Sequence, residues 1–385
     1  MMERIEDMFT KENTKQIKGI AILLMMAHHL FAFPDRMPYG TMIQTPFHIS
    51  GMELTELIGG FGKICVSIYM FMGGYGLFKR YASCEEKKVE CNRLGSDIIK
   101  LYKAYWKVLL IMVPIAFMFF SNQGQYCVDE VICTRYNGWT IKDFIQNFFG
   151  LSRTFNSEWW FFWSYLLALF EGYIFIEIFK NKKNLYLEIG TVILWSVLLI
   201  GVFPVLPFEE GYSVLWNNAW YNEICLGSEF VILFFVGIIF AKYSIFEGWK
   251  TYLSQLKKVE KLIVSMLGIG LAVYVRQFFL KMEFDIVLAP LFIFVCYVFI
   301  EESHFLKRPL GFLGAHSTNM WLVHTFFCFY FGAIAKFIYG FNNESISYIL
   351  LFGLSLVSSI LINVFWKLIG KGYVLLGNCF TKRSN

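Results

Sequence analysis

Lys18–Phe31, KGIAILLMMAHHLF, is an apolar run of helical length with a cation at its mouth and an imidazole, His29, near its middle. At about 1.5 Å per residue, Lys18 and His29 lie roughly 16 Å apart along a helix axis, half of a hydrocarbon core about 30 Å thick. An ionisable group at that depth is costly, so it marks a pathway, a cavity or a catalytic site and rarely faces lipid. This pair is the strongest pointer to function in the chain.

Composition supports a membrane reading of that run. The chain of 385 residues is 57% hydrophobic and 19% aromatic, with 16% charged residues, against roughly a quarter charged in soluble domains. The first apolar run follows a polar stretch, Met1 to Gln16, and lacks a small-residue cleavage site, so the first helix is expected to stay in the mature chain. The net charge of +5 comes from basic residues clustered between apolar runs. That distribution argues against a nucleic-acid partner, which needs them on one folded surface.

Matching apolar runs to a spanning length predicts an all-α polytopic membrane protein with about ten transmembrane helices. They fall near 16–33, 57–78, 105–120, 158–179, 185–203, 228–245, 261–280, 285–301, 312–339 and 347–369. Residues 1–385 read as one integral-membrane domain, with 1–15 and 370–385 as its polar ends. Alternate connections hold 26 basic residues, while the other connections hold seven: Arg36, Arg135, Lys142, Arg153, Arg276, Lys281 and Lys336. By the positive-inside rule both termini are expected in the cytoplasm.

The densest basic connection, Lys79 to Lys107, has two readings. Its lysines obey the topology rule and touch anionic lipid headgroups, or Lys100 and Lys103 converge with Lys18 and Arg80 on a phosphate-bearing ligand. On the opposite face, residues 34–56, 121–157 and 204–227 form longer loops suited to cover a substrate groove; the last has Glu209, Glu210 and Glu223 but no Lys or Arg. Cys127 and Cys133 in the second loop are candidates for a disulfide. Cys84 and Cys91 lack the short paired spacing and histidine partners that zinc requires, so no metal is expected. No tandem repeat, phosphate loop or dinucleotide signature is present.

A second imidazole, His324, lies within GAHSTNMWLVHTFF at 314–327. Counted from Pro309 it reaches a depth similar to that of His29, which suggests a shared cavity. The structural alternative for His324, Ser317 and Asn319 is hydrogen bonding between helices. His28 and His29 point about 100° apart on a helix, so one of them is expected to be structural. Lys63, Glu171 and Arg276 are further intramembrane candidates, with outward snorkelling as the alternative for Arg276.

Six segments in order resemble the acyltransferase 3 family of bacterial integral-membrane enzymes, which transfer acyl groups to cell-envelope carbohydrates. Lys18, ten intervening residues and His29 match the family's first-helix pattern. VSIYMFMGGYGLFKRY at 66–81 is similar to its segment ending in a turn and a basic residue, and KLYKAYW at 100–106 to its paired-basic segment. EWWFFW at 158–163 looks like its Trp-aromatic helix start, FVGIIFAKY at 235–243 like a later glycine-bearing helix, and GAHSTNMWLVH at 314–324 like its penultimate helix. Departures are Lys18 for the commoner arginine, Gly73 for serine, and no proline within Ala104 to Trp106. No esterase-like domain follows the last helix, which resembles the stand-alone form.

The resemblance implies an acyl-CoA donor, acetyl-CoA foremost, bound from the cytoplasm, and an acceptor hydroxyl on an envelope carbohydrate or lipid-linked sugar outside the cell membrane. In that picture Lys18, Lys79, Arg80, Lys100 and Lys103 receive the anionic donor head, while His29 and His324 serve catalysis, His29 as general base. Direct transfer is the simpler course in the absence of a nucleophile elbow, with a transient acyl-histidine as the alternative. A glycan exporter or secondary transporter, using the same buried residues as a pathway, is the rival class.

Overall fold

The computed structural model describes residues 9–38, 40, 41, 43, 48, 49, 52–86, 94–126, 130–198, 219–278 and 284–381. Cys127, Lys87, Lys88, Arg93 and most of the 204–227 loop therefore lie outside the described residues. The described architecture is helical apart from a two-residue antiparallel ladder, β1 (His48–Ile49) with β2 (Met52–Glu53). The helices are α1 (Lys11–Phe31), α2 (Leu54–Gly62), α3 (Ile64–Glu86), α4 (Leu94–Phe119), α5 (Glu130–Thr134), α6 (Ile141–Phe148), α7 (Trp160–Phe179) and α8 (Leu185–Ser196). They continue with α9 (Ala219–Lys242), α10 (Ile245–Leu253), α11 (Lys258–Phe278), α12 (Asp285–Glu302), α13 (Lys307–Thr325), α14 (Gly332–Tyr339) and α15 (Glu344–Thr381).

Over their described residues, all ten expected segments contain helix, but they are not ten equivalent spans. Four stretches among the described residues combine the length and apolarity needed to cross a membrane: Leu54–Ser83, Leu94–Phe119, Ser157–Phe179 and Glu344–Lys371. Two bent pairs raise the number to six, Phe230–Lys242 with Ile245–Leu253 at 63° and Asp285–Glu302 with His304–Tyr330 at 103°. Such breaks are tolerated at membrane depth where protein, not lipid, surrounds the freed backbone groups.

Helix α1 starts where Thr10 accepts from the Asn13 amide in a capping box, and it runs against α13 through glycine contacts. A Cβ at Gly314 would overlap the Lys15 carbonyl oxygen, and one at Gly19 the Leu310 carbonyl oxygen. In a bilayer, where no hydrophobic effect drives helices together, such backbone proximity supplies the dispersion that holds them. Gly74 and Gly237 join α3 to α9 in the same way.

Two buried ion pairs lock the rest. Asp285 receives Arg276 Nε at 3.0 Å, Arg276 Nη2 at 3.1 Å and the Ser67 hydroxyl at 2.6 Å, while Arg276 Nη1 donates to the Gly60 carbonyl at 2.7 Å. Arg276 does not take the snorkelling alternative: at 0% exposure it ties α11 and α12 to α2 and α3. A carboxylate within reach makes inward pairing better than extension to water. Lys242 pairs with buried Glu188 and donates to the Phe179 and Lys182 carbonyls at 2.7 and 2.6 Å. Glu171 accepts from the Trp195 indole at 2.9 Å, and Lys63 caps the α2–α3 junction.

The 121–157 connection, expected as a covering loop, instead reaches deep beside α4. Near one end of α4, Phe117 lies 6.2 Å from the Trp139 ring and 5.3 Å from Phe155. Some 11–15 residues earlier, roughly 17–22 Å along the axis, Trp106 stacks on Phe148 at 4.6 Å and the Tyr102 hydroxyl donates to the Phe149 carbonyl at 2.8 Å. Helix α6 thus descends along α4, Gly150 reverses the chain with φ of 71°, and an extended return delivers Asn156–Glu158 to the head of α7.

Candidate active site

Lys18 and His29 are eleven residues apart, close to three full turns, so they share the face of α1 that meets α13. On α13, His324 is fully buried, and its Nε2 lies 3.1 Å from His29 Nδ1. The ring centroids are 4.8 Å apart.

The hydrogen bonds around this pair determine its neutral tautomers. His324 Nδ1 lies 2.7 Å from the Trp321 carbonyl and 3.2 Å from that of Met320. A carbonyl only accepts, so Nδ1 carries the His324 proton and Nε2 its lone pair. His29 Nδ1 faces two acceptors, that lone pair and the Met25 carbonyl at 3.0 Å, and so carries the His29 proton. His29 Nε2 is left as the basic atom. His29 is half-buried and His324 is not exposed at all, which suits the first to meet a substrate and the second to orient it. His28 is turned aside, its Nδ1 2.7 Å from the Gly59 carbonyl.

Toward the Lys11 end of α1, a narrow cavity of about 110 Å³ is lined by Lys18, Tyr69, Leu101, Phe161, Tyr165, Thr318 and Trp321. Its Trp321 wall is one helical turn from His324. Arg80 lies within electrostatic reach of both Lys18 and Tyr165. Arg80 Nη1 is 2.7 Å and Lys100 Nζ 3.4 Å from Asp97, whose other oxygen accepts from the Tyr173 hydroxyl at 3.1 Å. Lys103 is exposed on α4. Lys79 is committed elsewhere, to Glu247 at 3.3 Å on α10. The structure therefore groups Lys18, Arg80 and Lys100 and separates Lys79 from them. The cavity volume is too small for a nucleotide. Among the described residues no group of His, Cys, Asp and Glu is arranged to hold a metal.

Toward the other end of α1, a polar network adjoins the imidazoles that sequence reasoning did not assign. Glu158 accepts from Arg36 Nη1 at 2.7 Å on one oxygen and from the Tyr330 hydroxyl on the other. Asn156 and Thr325 exchange hydrogen bonds at 2.9 and 3.2 Å. Burial pulls the Arg36 guanidinium down, but the charge and hydrogen bond of Glu158 outweigh it and hold the group above its ordinary value. The available signals were an acid placed directly before the Trp-aromatic run and an isolated arginine in the sparsely basic half. Arg36 comes from a connection and Glu158 from the turn at the head of α7, so helical periodicity could not join them.

Asn319 faces away, its Nδ2 3.1 Å from Asn363 Oδ1 on α15. The Ser317 hydroxyl donates to the Gly314 carbonyl at 2.9 Å. Both therefore take the structural role. Among known proteins, the model of an acyltransferase domain family matches residues 15–364, nearly the whole chain. No curated protein and no solved structure matches.

Proposed function

Because the chain belongs to the acyltransferase 3 family, we propose that this multi-pass membrane protein moves an acyl group, acetyl foremost, from cytoplasmic acyl-CoA to a hydroxyl of an envelope glycan or lipid-linked sugar. In this reading both termini lie on the cytoplasmic side of a bacterial cell membrane, as the distribution of basic residues suggests. The observation that carries the reading is the His29–His324 contact of 3.1 Å, set between the Lys18 slot and the Arg36–Glu158 pair.

In this reading His29 Nε2 removes the proton of the acceptor hydroxyl, whose oxygen bonds to the acyl carbon as the carbon–sulfur bond breaks. The imidazolium returns that proton to the leaving sulfur. His324 accepts from His29 Nδ1–H throughout, holding the reactive tautomer. Lys18, Arg80 and Lys100 attract donor phosphates, while Lys79 keeps its structural partner. Lys103 is exposed and contributes long-range attraction at the rim.

Replacing His324 with Gln keeps hydrogen-bonding capacity but removes the ring geometry, and is expected to lower turnover roughly 10–100-fold with normal protein levels. Asn319→Ala is expected to leave turnover nearly intact and affect stability. Equal rates for both variants would take His324 out of the site. For the donor, Lys18→Gln is expected to raise the Michaelis constant for acetyl-CoA roughly 10–100-fold, the scale of a charge-assisted contact. Lys79→Gln should change it little, and identical effects would reduce these lysines to a topology signal. The reaction class itself is tested by mass analysis of envelope glycans from cells with and without the gene. Loss of an ester-linked acyl group supports transfer; unchanged ester content with impaired glycan export contradicts it.

A further inference from the structure

We propose that Arg36 and Glu158, beside the half-buried ring of Phe33 and backed by buried Tyr330 and Phe329, form the subsite that grips the acceptor, and that they select an uncharged sugar bearing vicinal hydroxyls. This rests on the acyl-transfer reading above and adds to it where the acceptor sits and what it must carry.

Proximity to the proposed base comes first. The Arg36 guanidinium carbon lies 4.6 Å from the Phe33 ring centroid and 5.2 Å from that of Phe329. Phe33 in turn stacks on His29 at 5.9 Å, and Phe329 meets His29 edge-on at 6.1 Å. One aromatic layer thus separates the cation from His29. This lies on the side away from the Lys18 slot, so an acceptor here would approach His29 from the side opposite the donor.

The chemistry narrows the ligand. A guanidinium has five N–H donors in a fixed fork, and the described side-chain hydrogen bond of Arg36 uses Nη1 alone. The Arg36 side chain is 30% exposed and so open to a ligand, whereas Glu158 is 9% exposed and held by Tyr330 and Arg36. Adjacent hydroxyls both donate and accept, so a diol can accept from the guanidinium fork while donating to the carboxylate. The half-buried ring of Phe33 offers an apolar edge to the C–H face of a pyranose, with buried Phe329 behind it. An anionic acceptor meets Glu158 and a cationic one meets Arg36, so the opposed charges favour a neutral polyol. A pair that merely pinned the turn after α1 to α7 would have no need of a half-open arginine beside the base.

The test uses the full-length protein in nanodiscs with acetyl-CoA, following thiol release with methyl glycosides of glucose, galactose, rhamnose and N-acetylglucosamine, and with cyclohexanol as a lone-hydroxyl control. Stimulation by at least one glycoside and little by cyclohexanol is expected. Arg36→Gln and Glu158→Gln are each expected to raise the Michaelis constant for that glycoside roughly 10–100-fold, the scale of losing a hydrogen bond to a charged group. The constant for acetyl-CoA should stay in place, and Arg36→Lys should recover part of the loss. Equal stimulation by cyclohexanol, no stimulation by any glycoside, or an effect confined to turnover or to acetyl-CoA overturns the subsite. Thiol release by wild type with a crude envelope-glycan extract as acceptor keeps these outcomes apart from failure of acyl transfer itself, in which no thiol appears under any condition.

Discussion

His29→Ala is expected to reduce acyl transfer by roughly 10²–10⁴-fold, the usual contribution of a positioned general base, while the protein inserts and accumulates normally. No neighbouring group stands in for the lost imidazole. His28 is held by the Gly59 carbonyl, and His324 has its Nδ1 on Trp321 and its Nε2 turned to the position His29 would vacate. The helix itself tolerates alanine well. Activity and abundance measured on the same membranes separate the two effects; a variant retaining more than about a tenth of wild-type turnover, against the scale above, removes His29 from the role of base.

Asp285→Asn is expected to damage folding more than chemistry. The Arg276 guanidinium is fully buried and places two of its nitrogens on this carboxylate, with Ser67 as a further donor. Neutralising the acid leaves a buried cation without its counter-charge, with one amide oxygen and the Gly60 carbonyl as acceptors. Breaking a buried pair from one side costs about 3–5 kcal/mol, enough to lower the thermal midpoint in detergent sharply and to reduce yield. Replacing both partners together, as Arg276→Met with Asp285→Leu, should restore much of that loss. A single variant as stable as wild type would show that water reaches the pair.

The helices were legible because apolar length is a one-dimensional property. The runs at 57–78, 105–120, 158–179 and 347–369 each overlap a helical stretch long and apolar enough to span. The proximity of His29 and His324 was legible too, since both depths count from a helix end and the spacing per residue is fixed. Bends were not. The 103° turn between α12 and the α13 region follows tertiary packing and leaves no hydropathy mark. Nor was the descent of α6, because an eight-residue amphipathic helix with Lys142 and Asp143 reads as a surface connection. The covering-loop reading hides Asn156, which the returning segment carries, with Glu158 after it, to the level of His324. Lys79 and Arg80 are adjacent in sequence, yet consecutive helical residues diverge by about 100°, and Glu247 pairs with the first while Asp97 pairs with the second.

The central claim is that His29, oriented by His324, moves a proton during transfer from a thioester to a hydroxyl. Its most direct test is release of free coenzyme A thiol from acetyl-CoA by purified wild type and His29→Ala in nanodiscs, with and without an acceptor glycoside, where vectorial transport contributes no signal. The account predicts acceptor-dependent thiol release by wild type, matched by ester on the glycoside, and its loss in the variant. Well-folded wild type that releases no thiol with any acceptor, yet moves glycan or solute across sealed vesicles, would contradict the enzyme reading and establish a transporter.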